Sequence, residues 1–218
     1  MINLSKRLQL VASFVPDNSN IIDVGCDHAL LSIYLYQTKK NVDITASDIN
    51  EKPLAFAKNN LIKYNLDKKI KLLKNDGIKN LDKKIDTIII SGMGGILISD
   101  ILEKKYLTNV KNIIVSPNNE FPCVRKKIIK NGFYIEKEEL VLDKNITYLV
   151  IKAKKGTSRK IDSFFGILKN NNLETIGYFT KILNTNTKIL KKLPKKYILK
   201  RIKLKQENKK IIKFLNKK

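Results

Sequence analysis

The alternation of short β-branched runs with longer helical stretches over residues 21–153 constrains this chain more than any other feature. Runs rich in Ile, Val and Thr fall at 21–24, 43–47, 70–73, 86–90, 112–115, 133–142 and 147–152. Between the earlier runs, apolar residues at helical spacing predict helices over 29–37, 53–64, 95–104 and 120–131. Pro53 suits the first turn of a helix, and Gly132 suits a helix end just before a strand. Strand–helix alternation closed by two consecutive strands predicts an α/β fold. It is a mostly parallel, Rossmann-like seven-stranded sheet with helices on both faces and a late hairpin at one edge. Ligands of such sheets lie beyond the carboxyl ends of the strands.

Charge divides the chain. Residues 1–153 carry 24 basic and 17 acidic side chains, whereas residues 154–218 carry 20 basic and 3 acidic. A Lys/Asn/Ile-biased genome accounts for lysine on solvated positions, but it does not remove acids from one segment. The asymmetry points to a polyanion, because clustered cations supply the counterion-release part of nucleic-acid binding. The sheet domain is expected over 1–155. After a basic linker at 154–160, a coiled-coil-like helical hairpin is expected over 160–218, with Pro194 interrupting its apolar stripe. No apolar run approaches the roughly 20 residues of a membrane span, and the first residues lack the order of a signal peptide. Cys26 and Cys123 are too few for a disulfide framework or a zinc site. A cytoplasmic, monomeric protein without membrane or metal partners is expected.

Three acidic strand ends carry the chemistry. Asp23-Val24-Gly25-Cys26-Asp27-His28 follows the first strand, Asp48-Ile49 ends the second, and Asp76-Gly77 closes the third. One glycine of the dinucleotide fingerprint is present instead of three, which disfavours NAD. An acid at the second strand end suits ribose hydroxyls, and one at the third can reach an adenine amino group. The set resembles an S-adenosylmethionine pocket. The next strand exits through Ser91-Gly92-Met93-Gly94-Gly95, where so many glycines imply tight bending or close ligand approach. No Asx/Ser-Pro-Pro-aromatic stretch is present, so an exocyclic amino group is a poor methyl acceptor. Ser116-Pro117-Asn118-Asn119 forms a candidate rim for the acceptor, while Tyr148 either stacks on a base or fills the core edge. Cys26 reads as a small turn residue, and His28 as a cap or cofactor-positioning residue more than a base.

These residues, with Leu4-Ser5-Lys6-Arg7-Leu8-Gln9, resemble the TrmK family of bacterial tRNA (adenine(22)-N1)-methyltransferases over residues 4–153. Asp48 stands where that family usually has Glu, Ser32 where Pro is common, and Ser116 where Gln is common. The resemblance implies methyl transfer from S-adenosylmethionine to N1 of one adenine in the tRNA D-arm. It implies cofactor contacts from Asp23, Gly25, Asp27, His28, Asp48, Ile49, Asp76, Gly77, Gly92 and Met93. Asp27 either stabilises the cationic product or binds the amino group of the cofactor. The acceptor is expected against Lys6, Arg7, Pro117, Asn118 and Tyr148, with Lys6, Arg7 and the basic tail on phosphates. Two alternatives stand beside this: methylation of another RNA or a protein, and an RNA-binding protein that keeps the fold without catalysis.

Overall fold

The computed structural model describes residues 2–157 and 161–217. The first unit, Met1–Ile167, opens with helix α1 (Lys6–Phe14). Its N-cap is Ser5, whose side chain accepts from the Leu8 amide, and it buries Val11, Ala12 and Phe14. This helix lies outside those expected from periodicity, although Leu8, Val11, Ala12 and Val15 keep a helical spacing. Then follow β1 (Asn20–Val24), α2 (Leu30–Thr38), β2 (Asp43–Asp48), α3 (Glu51–Lys63), β3 (Ile70–Lys74), β4 (Thr87–Ser91) and α4 (Gly95–Ile101). A 3-10 turn at Lys104–Tyr106 leads to β5 (Asn112–Ser116), α5 (Phe121–Lys130), β6 (Phe133–Asp143) and β7 (Ile146–Lys155).

The seven strands form one sheet in the order β3-β2-β1-β4-β5-β7-β6. β1 to β5 are parallel, and β7 runs antiparallel to both β5 and β6. The two halves diverge between β1 and β4, the switch point where an open sheet leaves a crevice. β4 and β5 read Thr-Ile-Ile-Ile-Ser and Asn-Ile-Ile-Val-Ser and are buried except at Ser91. Such continuous apolar runs mark strands covered on both faces.

β7 extends to Lys155, so Lys154 and Lys155 belong to the sheet instead of a linker. Lys154 pairs across to Asn112 and Tyr134 and ion-pairs with Glu136. The remainder of the expected linker includes 158–160, which lie outside the described residues. Beyond it, the turn at 162–167 is held onto the sheet by a buried ion pair. Arg125 of α5 donates from Nε to Glu138 Oε1 of β6 at 2.6 Å, and both side chains are almost fully buried. Arg125 also donates to the carbonyls of Ser163 and Phe164, and the Ile167 amide donates to Glu138 Oε2 at 2.7 Å. Burial holds the Glu138 carboxyl above its ordinary range, against the opposing pull of Arg125 and the Ile167 amide.

The second unit, Leu168–Lys218, contains α6 (Leu173–Lys192) and α7 (Ile198–Leu215). Asn172 caps α6 by accepting from the Thr175 amide at 2.7 Å. Phe179 packs on Phe214, and Asn186 donates to Glu207, which fixes the two helices as an antiparallel pair. Phe179 and Ile211 are its buried centre. Among the described residues, no helix is long and apolar enough to cross a membrane, and no cluster of three His, Cys, Asp or Glu is placed to hold a metal.

Gly166 has φ +65°, and a Cβ there would overlap both Glu138 Oε2 and Arg125 Nε. Gly166→Ala therefore disturbs a buried ion pair, and a loss of about 3 kcal/mol is expected. For a chain of this size that lowers Tm by roughly 6–12 °C, measured by thermal denaturation. A Tm within about 1 °C of the parent would show that the turn yields without touching the pair.

Candidate active site

Eight of the residues singled out from the sequence line one cavity of about 410 Å³ at the carboxyl ends of β1, β2 and β4. They are Arg7, Asp23, Gly25, Asp27, His28, Asp48, Gly92 and Met93. The turn after β1 sets their arrangement. The Gly25 and Cys26 amides both donate to the Ser47 carbonyl of β2, at 2.8 and 2.9 Å. These two N–H groups are therefore engaged within the fold and are not presented to a ligand. Gly25, Asp27 and Ala29 all take positive φ, +70°, +50° and +54°. Only for Gly25 is that conformation free of a Cβ penalty. A Cβ on Gly25 would overlap the Met93 side-chain methyl, so the glycine lets the β4 loop close over the β1 turn.

Asp23 is 3% exposed, and its Oδ2 accepts from Ser32 Oγ at 2.8 Å. Burial pushes its carboxyl up to about 6, with the Ser32 hydroxyl pulling the other way. Burial, and then the carboxylates of Asp23 and Asp48, push the Cys26 thiol far up, so it stays protonated and un-nucleophilic. Asp27 and His28 are exposed at the mouth, with His28 Nε2 3.6 Å from Asp27 Oδ1 and the His28 ring 5.2 Å from that of Phe56. Asp48 accepts the Asn50 amide on Oδ1 at 2.9 Å. Ile49 beside it is exposed. Asp76 is exposed and ion-paired with Lys79, while Gly77 lies against Ile101.

On the other wall, the Arg7 guanidinium lies over the Tyr148 ring, 4.7 Å from its centroid, and packs toward Gly92. The Arg7 amide donates to Asp143 Oδ2 at 3.1 Å. That amide, then the Ser5 hydroxyl, hold the Asp143 carboxyl below its ordinary range. Asn118 donates from Nδ2 to the Gly92 carbonyl at 2.7 Å, so its side-chain amide fixes the glycine loop. Pro117 is buried beside it, and Lys6 is exposed on α1. Ser91, from the glycine-rich exit, and Asn119, from the expected rim, join the site together with Ser32 and Asp143, which were not singled out as site residues. Asn119 Oδ1 accepts the Gly95 amide at the start of α4. The Asn118-Asn119 pair is the signal that carries it. Nothing local marks Ser32 or Asp143, which act across the fold.

The residues present fit a cationic nucleoside cofactor. Asp23, Asp27 and Asp48 face one cavity of a size suited to a small-molecule ligand. Ser91 Oγ, also on its lining, is buried without a hydrogen-bond partner among the described residues.

Since Asp23 gains a proton more readily folded than unfolded, the folded state binds more protons between pH 4 and 6, and stability falls as pH rises through that window. The shift from 3.8 to about 6 corresponds to roughly 3 kcal/mol. Asp23→Asn should therefore raise Tm relative to the parent at pH 8, with the two melting curves converging toward pH 4. A constant gap at all pH values would show that Asp23 is not the titrating group.

A family profile described as a methyltransferase domain matches residues 4–151. The tRNA (adenine(22)-N(1))-methyltransferase of Bacillus subtilis is 34% identical over 158 residues, 71% of this chain and 66% of that protein's length. A Streptococcus agalactiae protein of the NADB-Rossmann superfamily superposes with TM-score 0.91 at 32% identity, covering 98% of each chain. TrmK of M. capricolum, solved with the cofactor product S-adenosyl-homocysteine, gives TM-score 0.86 at 27% identity, again over 98% of each chain. With this site on this sheet, the chain belongs to the methyltransferase-domain family and, within it, to the TrmK group.

Proposed function

We infer that this chain transfers a methyl group from S-adenosylmethionine to N1 of adenine 22 in the D-arm of tRNA. The observation that carries the reading is the convergence of Asp23, Gly25, Asp27, Asp48, Gly92 and Met93 on one cavity, in a chain similar to a tRNA (adenine(22)-N(1))-methyltransferase. S-adenosylmethionine, when bound, supplies an electrophilic methyl group on a sulfonium centre.

The rest is done by the chain. Asp48 offers its second carboxylate oxygen to ribose hydroxyls, the first being held by Asn50. Ile49 presents an apolar face to the adenine ring, and Asp76-Gly77 the polar edge beyond it. Gly25 and Met93 close the cavity, and His28 positions its mouth. Adenine N1 carries a free lone pair at neutral pH, so no general base is required. What the site must do is orient N1 toward the methyl group and stabilise the positive charge that develops on the ring. Asp27 takes the second role, because its carboxylate stands exposed at the mouth while that of Asp23 is buried. Arg7 and Tyr148 form the platform for the incoming base, and Pro117 and Asn118 its rim. N1 lies on the Watson–Crick edge, so the base must leave its stack, at a cost of a few kcal/mol. Phosphate contacts from Lys6, Arg7 and the basic second unit offset that cost. The working unit is a single cytoplasmic chain.

The test is incubation with S-adenosylmethionine and an unmodified tRNA transcript, followed by digestion to nucleosides and mass spectrometry. 1-Methyladenosine is expected from a transcript with adenine at position 22 and not from one with guanine there. Cofactor binding without methylation would move the acceptor to another RNA or a protein. Absence of both would leave an RNA-binding protein. Asp48→Ala should weaken S-adenosylmethionine binding about a hundredfold by calorimetry, because two hydrogen bonds to a carboxylate are lost.

A further inference from the structure

We propose that Ile146, at the tip of the β6–β7 hairpin, is a wedge that fills the stack when the target base leaves it. The proposal rests on the tRNA reading above and names a residue that offsets the unstacking cost. β7 pairs with β5 over residues 151–154, and continues with β6 to the rung formed by Ile146 and Asp143. From Ile151 to Ile146 the hairpin therefore projects about 16 Å past its last pair with β5. Because β7 runs antiparallel to β5, this projection stands at the carboxyl ends of the parallel strands, the end of the sheet that holds the cavity.

The projection is braced on one face. Side chains alternate along a strand, so Ile146 and Tyr148 of β7 share a face with their partners Asp143 and Val141 of β6. On that face Asp143 accepts the Arg7 amide at 3.1 Å, and the Arg7 guanidinium lies 4.7 Å from the centroid of the Tyr148 ring. Beyond this brace the chain reverses over Lys144 and Asn145, at φ +47° and +64°. Two central residues at positive φ make the turn whose twist matches that of a hairpin. A tight turn on a braced ribbon has little left to order on binding.

Ile146 is 53% exposed. A single exposed isoleucine carries no message by itself. Its place gives it one, about 7 Å beyond Tyr148 on the same face and at the apex of a projection beside the cavity. Leu142, exposed to a similar degree, points to the other face. What the apex meets follows from the reaction. The adenine must leave its stack for N1 to be reached, which uncovers the faces of its two neighbours. A branched apolar side chain on a rigid support covers such faces and keeps the base from returning. Lys144, exposed beside it, supplies a cation for a flanking phosphate. A polar residue in place of Ile146 would suit a solvated turn equally well but would leave the bases uncovered.

The test compares the parent, Ile146→Ser and Ile146→Leu, each saturating over tRNA. A transcript with 2-aminopurine at position 22 reports unstacking by a rise in fluorescence. The parent and Ile146→Leu should brighten it, and Ile146→Ser should leave it dim. Single-turnover methylation of the unmodified transcript should be about tenfold slower with Ile146→Ser and unchanged with Ile146→Leu. With an abasic residue opposite adenine 22, which weakens the stack beforehand, the Ile146→Ser rate should come within about twofold of the parent. S-adenosylmethionine affinity stays at the parent value in both variants. Full brightening by Ile146→Ser overturns the wedge, as does an equal loss of rate on both transcripts. An inactive parent that brightens the transcript while Ile146→Ser does not would support the wedge and refute the activity. A parent that fails to brighten it overturns the wedge whatever its activity.

Discussion

The carbonyl of Ser47 accepts two amides, from Gly25 and Cys26, and the geometry of the site hangs on that junction. It pulls the chain leaving β1 sideways over the end of β2, so the residues that follow must turn sharply before α2 begins. Asp27 and Ala29 absorb the turn in left-handed conformations, which cost L-residues about 1–2 kcal/mol each. Ala29 is fully buried, so packing holds it there, and Asp27 is left projecting at the cavity mouth. The same turn sets the start of α2 and lays Ser32 against Asp23. Strain of this kind persists only where the surroundings over-determine it, and here a strand carbonyl and a buried alanine do so.

Arg7 organises the opposite wall. Its main chain is tied to Asp143, 136 positions away, and its side chain lies over Tyr148 and toward Gly92. The start of α1, the β6–β7 hairpin and the glycine loop therefore form one cluster. The loop is also held from the side of β5, where the Asn118 side chain donates to the Gly92 carbonyl and its amide to the Met93 carbonyl. Two separate segments thus fix the loop, one from the start of α1 and one from the turn after β5.

The strands were legible because each is a short β-branched run, and all seven lie within three residues of their expected bounds. The meeting of Asp23 and Asp48 at one cavity was legible for a related reason. Both sit at strand ends, where position along the chain determines position in space, whereas Asp76 lies two residues beyond β3 and off the cavity lining. Long-range pairings were not. Arg125 with Glu138 and Arg7 with Asp143 involve ordinary surface-type residues whose burial or partnership arises only once the sheet closes. Helix α1 lies before the first strand, outside the strand–helix alternation from which the other helices were read. Asn118 was expected at the acceptor rim, and its side chain holds the glycine loop, a contact that depends on a carbonyl 26 residues earlier.

Asp23 shows what the site asks of the fold. Its ionisation is opposed by complete burial and supported by a single serine hydroxyl, so an uncharged residue there would serve stability better. Its place is on the wall of a cavity that also holds Asp27 and Asp48, inside a chain of net charge +24. The molecule as a whole attracts polyanions, while this interior attracts cations. Under the proposed reaction the contrast has a direction. A carboxylate-lined pocket holds a sulfonium cofactor more strongly than the neutral thioether left after methyl transfer, because one attractive charge is gone. The stability lost by burying Asp23 thereby favours exchange of product for fresh cofactor, and the same field stabilises positive charge arriving on the acceptor ring.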